Sequence, residues 1–124
     1  VDPTNVVACN ELGTILYKLG RVDAAIDQFN KAIEIDGRYY KAYNNLATVL
    51  SRKGDVPGAL RNFHKAIELS PEFVNARANL ASLREHQGDY PGAAEQYREI
   101  LRIRPGDPQA QQALDRVLAA QGGR

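Results

Sequence analysis

Asp27–Gly37 reads DQFNKAIEIDG, Arg61–Pro71 reads RNFHKAIELSP and Glu95–Pro105 reads EQYREILRIRP. The three stretches lie 34 residues apart, each with an aromatic residue in third place and a glycine or proline at its end. Working outward, the same register aligns Leu12 with Leu46 and Leu80, and Gly13 with Ala47 and Ala81. It also aligns Gly20, Gly54 and Gly88, then Ala25, Ala59 and Ala93. A fixed period of this length marks a stacked array of small supersecondary units that share one continuous core.

Each unit reads as two helices. Tyr43, Leu46, Ala47 and Leu50 follow the i, i+3, i+4, i+7 spacing of an amphipathic helix. KGDVPGAL (Lys53–Leu60) then interrupts it. Gly54 suits the left-handed residue that ends a helix, Asp55 suits the cap of the next, and Pro57 falls in its first turn. GDYPGAA repeats that grammar with Asp89 and Pro91. Ala59, Leu60, Phe63, Ala66 and Ile67 give the second helix its apolar face, and Pro71 stops it. The small residues at Gly13, Ala47 and Ala81 face those at Ala25, Ala59 and Ala93, where two helix axes must come within about 8–10 Å.

These columns resemble the tetratricopeptide repeat family, whose motif runs Leu-Gly/Ala, then Gly, Ala, an aromatic, Ala and Pro at these spacings. The resemblance covers Val6–Tyr39, Tyr40–Phe73 and Val74–Asp107 as three units. It implies an all-α fold, a right-handed superhelical solenoid of antiparallel helix pairs. Departures are Cys9 and Arg77 in place of a large residue, Arg84 in place of Tyr or Leu, Gly37 in place of Pro and Ile100 in place of Ala. The stems of Arg77 and Arg84 are expected to lie over the last helix with their heads in water. Val1–Asn5 is read as the remnant of a preceding unit, because VDP matches IDG, LSP and IRP. Residues 108–124 are read as a capping helix and tail, with an apolar stripe of Ala110, Ala113, Leu114, Val117 and Leu118. With no methionine in the chain, the expected setting is the C-terminal end of a longer array.

The bulk composition excludes several classes. Apolar residues make up 44% and charged residues 25%, a folded composition, and the net charge of +1 gives no field for nucleic acid. No apolar run approaches the length of a membrane span. Cys9 is the sole cysteine, so no internal disulfide forms; that suits a reducing compartment such as the cytoplasm without requiring one. Cys9 falls in a core column, and His64 and His86 stand 22 residues apart with no cluster of ligands, so no catalytic residue, metal or cofactor is expected.

A second stripe remains on each first helix: Lys41, Asn44, Asn45, Thr48 and Arg52 in the second unit. Its counterparts are Val7, Asn10, Glu11, Thr14 and Lys18 in the first unit, then Asn75, Ala78, Asn79, Ser82 and His86 in the third. Gln109, Gln112 and Arg116 continue it on the last helix. The family resemblance implies that these side chains line a concave groove. Asn45 and Asn79, one repeat apart, suggest a ladder of amides, each able to pair with both a peptide N–H and C=O. The ladder resembles that of the repeat domains of some protein O-glycosyltransferases. The family's chaperone-tail clamp grips a carboxylate with Lys, Asn, Asn, Lys and Arg. Here those places hold Asn10, Thr14, Asn45, Asn75 and Asn79, so the cations are missing and that ligand is disfavoured. In the next register they hold Asn44, Thr48, Asn79, Gln109 and Ala113, again without a cation.

The expected function is therefore a non-catalytic module that binds a peptide or protein segment. Its rivals are self-association through an exposed N-terminal edge holding Val6, Ile15 and Leu19, or service as the substrate-docking arm of a larger enzyme.

Overall fold

The computed structural model describes residues 3–123, with side chains from residue 5 onward. Seven helices and no strand occur among the described residues, an all-α helical-repeat fold. The chain divides into two compact units, Val1–Pro71 and Glu72–Arg124. The first holds α1 (Pro3–Lys18), α2 (Val22–Ile35), α3 (Tyr40–Lys53) and α4 (Val56–Leu69). The second holds α5 (Val74–His86), α6 (Tyr90–Ile103) and α7 (Pro108–Gly122).

One local device ends α1, α3 and α5. Gly20, Gly54 and Gly88 take φ of 82°, 90° and 77°, a region closed to most side chains. In each case the next residue's N–H reaches back five residues, as in Asp55 N–H to Leu50 C=O at 2.9 Å. This satisfies a carbonyl that the helix leaves orphaned. The following helix then starts on a carboxylate: Asp55 accepts from Gly58 N–H at 3.0 Å, and Asp89 from Gly92 N–H at 2.9 Å. A methyl group at Gly58 or Gly92 would make that flexible carboxylate shift, and Asp107 caps α7 above Ala110 in the same way. The α1–α2 turn lacks only the carboxylate cap, with Arg21 at that position making no side-chain bond.

In the first unit Phe29 of α2 is fully buried beside Ala25, Leu46 and Val49, so α2 covers the apolar face of α3. Gly13 of α1 lies against the same ring, and a Cβ there would sit 2.6 Å from Phe29 Cε1. That is the close approach expected of this column. A second cluster gathers Val6, Ala32 and Ala42, with Cys9 packed against it. In the second unit the core joins α5, α6 and α7 through Ala81, Ala93, Tyr97, Ile100, Leu114 and Val117. The apolar stripe of α7 is thus its core face, apart from Leu118, which stays exposed.

Three expectations are corrected. Val6 is 2% exposed, not part of an open edge, because Ala32 and Ala42 pack on it. Leu12 matches the buried Leu46 and Leu80 in register, yet is 43% exposed. The heads of Arg77 and Arg84, expected in water, have protein partners: Arg77 Nη1 donates to Gln96 Oε1 of α6 at 3.0 Å, and Arg84 pairs with Asp89 at 3.7 Å. Helix α1 begins at Pro3; proline tolerates a first turn, where its missing N–H costs nothing. Val1 and Asp2 lie outside the described residues.

Candidate functional site

The stripe on α1 and α3 has two layers. Asn10 and Asn44 are 8% and 7% exposed, beneath the surface. Above them Thr14, Asn45 and Thr48 are half-buried, and Val7, Glu11, Lys18, Lys41 and Arg52 are exposed. Asn45 Nδ2 donates to Asn10 Oδ1 at 2.9 Å, so this rung ties α1 to α3. The bond leaves the Asn45 amide one N–H and its carbonyl for further pairing. Thr14 and Thr48 each donate their hydroxyl to the carbonyl four residues back, those of Asn10 and Asn44, at 3.1 and 3.0 Å. Their oxygens still accept. Lys18, Lys41 and Arg52 form no ion pair among the described residues, whereas Lys53, on the same helix as Arg52, is held by Asp23 at 2.8 Å. The Lys53 ammonium is raised above its ordinary value by that hydrogen bond.

In the second unit Asn75, Ser82 and His86 of α5 are exposed, while Ala78 and Asn79 are half-buried. His86 Nδ1 lies 2.8 Å from the Ser82 carbonyl, which can only accept, so Nδ1 is the donor of this bond. Gln109 and Gln112 of α7 are exposed. Between α5 and α7 opens a cleft of about 270 Å³, floored by Tyr97 and Ile100 of α6 and edged by Asn75, Arg104 and Gln109.

Arg116, expected to extend the groove, is engaged elsewhere. Its Nη2 and Nε donate to Glu85 at 2.8 and 3.3 Å, while Tyr97 Oη donates to Glu85 Oε1 at 2.6 Å. Burial works against the charge on Glu85, but the bonds from Arg116 and Tyr97 outweigh it and hold the carboxyl below the usual glutamate range. Burial, then the bond to Glu85, pushes the Tyr97 phenol up to about 12. This triad clamps α5, α6 and α7 together. No column of the repeat announces it, since all three residues come from different places in the motif.

Among the described residues no group of three or more His, Cys, Asp or Glu is placed to hold a metal ion, and no helix is long and apolar enough to cross a membrane.

Two family models match, one described as tetratricopeptide repeat over residues 44–108 and one as TPR repeat over residues 13–54. No curated protein matches the chain. Among solved structures it is similar to the first TPR of Spaghetti (RPAP3) bound to the HSP90 peptide SRMEEVD, at 22% identity and a TM-score of 0.89, covering 98% of this chain and 99% of that one. It is similar to MamA at 25% identity and a TM-score of 0.84, over 98% of this chain and 66% of MamA. The TPR domain of Arabidopsis OM64 gives 23% identity and a TM-score of 0.83, over 93% and 95% of the two chains. The 34-residue period, the glycine-ended helix hairpins and the family match over residues 44–108 agree: this chain belongs to the tetratricopeptide repeat family.

Proposed function

We propose that the protein is a non-catalytic interaction module that binds acidic peptide or protein segments on the exposed stripe of α1 and α3 and on that of α5 and α7. The observation that carries this reading is the set of cations at Lys18, Lys41 and Arg52, exposed and without an ion-pair partner among the described residues. Thr14, Asn45 and Thr48 offer backbone-pairing groups beside them, and Asn75, Asn79, Ser82 and His86 are the corresponding set in the second unit. Asn10 and Asn44 contribute from below, by holding the helices that carry the stripe. The Spaghetti domain's peptide is acidic, but that domain's likeness at 22% identity supports the fold, not the ligand. The chaperone-tail positions here lack cations, so an internal acidic segment is preferred to a chain terminus.

The test is selection of peptides from a random displayed library on the wild type, followed by calorimetric titration. Selected peptides should be acidic, and Lys41→Ala/Arg52→Ala should weaken them about tenfold or more, with affinity falling as salt rises. Equal binding to the folded double variant would remove this reading.

A second reading, self-association, is favoured by a specific observation. Leu12, Ile15 and Leu19 are 43%, 54% and 68% exposed on one stripe of α1. Leu46 and Val49, the counterparts of Leu12 and Ile15 on α3, are buried under α2. Two copies packed through antiparallel α1 helices would cover the stripe and bring Glu11 of each near Lys18 of the other. Light scattering against concentration should show a dimer that Leu12→Gln/Ile15→Gln abolishes. A monomer at every concentration would refute it.

A further inference from the structure

We propose that the cleft between α5 and α7 receives one aliphatic side chain of the bound segment, with Arg104 at its rim pairing with a carboxylate next to that side chain. The inference rests on the peptide-binding reading above and gives it a specificity. Its origin lies in the register. Ala78 and Ala113 stand two repeats after Asn10 and Asn45. In the first unit that pair bridges α1 and α3 through the 2.9 Å amide bond. In the second unit two alanines occupy the same places on α5 and α7, and the space between the helices stays open.

The opening has the size of a side chain. Its volume of about 270 Å³ exceeds the roughly 150 Å³ that holds a benzene ring and falls below the ~300 Å³ where pockets for whole small molecules begin. Its floor is the buried Tyr97 and Ile100, and Ala78 and Ala113 form its walls. An aliphatic group reaching the floor leaves water for the apolar side chains of Val74, Ala78, Ile100 and Ala113, the dominant favourable term in such association.

The rim is polar and sorted by charge. Asn75 and Gln109 are exposed on opposite sides, each with donors and an acceptor for a peptide backbone. Arg104 is exposed and forms no ion pair among the described residues. The rim carboxylate, Asp107, is engaged: its Oδ1 accepts from Gln109 N–H at 3.0 Å and Ala110 N–H at 3.3 Å, at the positive end of α7. A ligand carboxylate beside the cleft thus meets an uncommitted guanidinium and an aspartate whose Oδ1 is taken up by the start of α7.

The experiment is a ¹⁵N-resolved NMR titration of the protein with acetyl-Leu-Asp-amide, acetyl-Ser-Asp-amide and acetyl-Leu-Lys-amide. Acetyl-Leu-Asp-amide should give saturable shifts at the backbone amides of Ala78, Ala110 and Ala113. Replacing Leu by Ser should abolish them. Replacing Asp by Lys, or Arg104 by Ala in the protein, should weaken binding about tenfold. Ala78→Asn/Ala113→Asn, which installs the bridge of the first unit, should remove the shifts. Arg104 is exposed at a helix end, so Arg104→Ala keeps the fold and the test stands if the double variant does not fold. Absence of saturable shifts at these amides, or affinity indifferent to both Arg104→Ala and the Leu-to-Ser change, overturns the proposal. If selected peptides still bind and still depend on Lys41 and Arg52, the pocket alone has failed. If they do not, the interaction reading has failed with it.

Discussion

Single atoms decide several outcomes. At Gly13, alanine has the better helix propensity by about 1 kcal/mol. Its methyl would meet the Phe29 ring at 2.6–2.9 Å, and that ring is buried and cannot yield freely. Overpacking of this kind costs about 1–3 kcal/mol, so Gly13→Ala should lower the urea midpoint. A raised midpoint would contradict the packing. At Tyr97, the phenol pushed up to about 12 should ionise well above the ordinary tyrosine value near 10 in an ultraviolet titration, and Glu85→Gln should bring it down. Its stabilising effect is fully present below the ordinary tyrosine value near 10 and is lost as pH rises through 12. Glu85 acts at the other end: its depressed carboxyl stabilises above the ordinary glutamate range and stops doing so as pH falls through the folded value. Stability that is flat across both limits in the wild type, and unmoved by Glu85→Gln, would show the triad to be idle. The sequence groups Lys41 and Arg52 on one face of α3, because 3.6-residue periodicity states which side chains share a face. It could not assign depth. Asn10 and Asn45 differ by one layer, and only the neighbouring helix determines which is the surface and which the support. Nor did the alanines at 78 and 113 read as a pocket; Ala78 stood in the polar stripe of its helix and Ala113 in the apolar stripe of the last one, and the floor they share comes from α6.

At the level of the helix, the caps carry measurable weight. Asp55→Ala and Asp89→Ala each remove a carboxylate from an N-terminal N–H and should cost about 1 kcal/mol. The loss should appear in thermal unfolding, and unchanged midpoints for both variants would mean water replaces the cap without loss. These turns were legible in advance, since a glycine, an aspartate and a proline each impose a local backbone state that needs no distant contact. Helix α1 was less legible. Its Leu12 carries the same letter as Leu46 and Leu80, yet exposure depends on whether another helix lies over it, as α2 lies over Leu46. The arginines at 77 and 84 misled for a related reason: their partners, Gln96 and Asp89, are polar groups of the adjacent hairpin arm.

For the chain as a whole, stacked repeats share their energy between neighbours, so an end piece stabilises whatever it covers. Leu114 and Val117 of α7 are buried, and burying two such side chains is worth roughly 3–6 kcal/mol. That is comparable to the total stability of a small domain, about 5–15 kcal/mol. A chain ending at Asp107 should therefore lose hydrogen-exchange protection across α5 and α6, and retained protection there would show that the hairpin stands without its cover. The helix starts carry a consequence for inheritance. Asp55, Asp89 and Asp107 each cap a helix, above Gly58, Gly92 and Ala110 in turn, so the cap accepts either small residue at that place. In the first turn the same places hold Arg21 and Ala24. Arg21→Asp alone should therefore install the missing cap, and a lineage can gain it in a single step with no less stable form between.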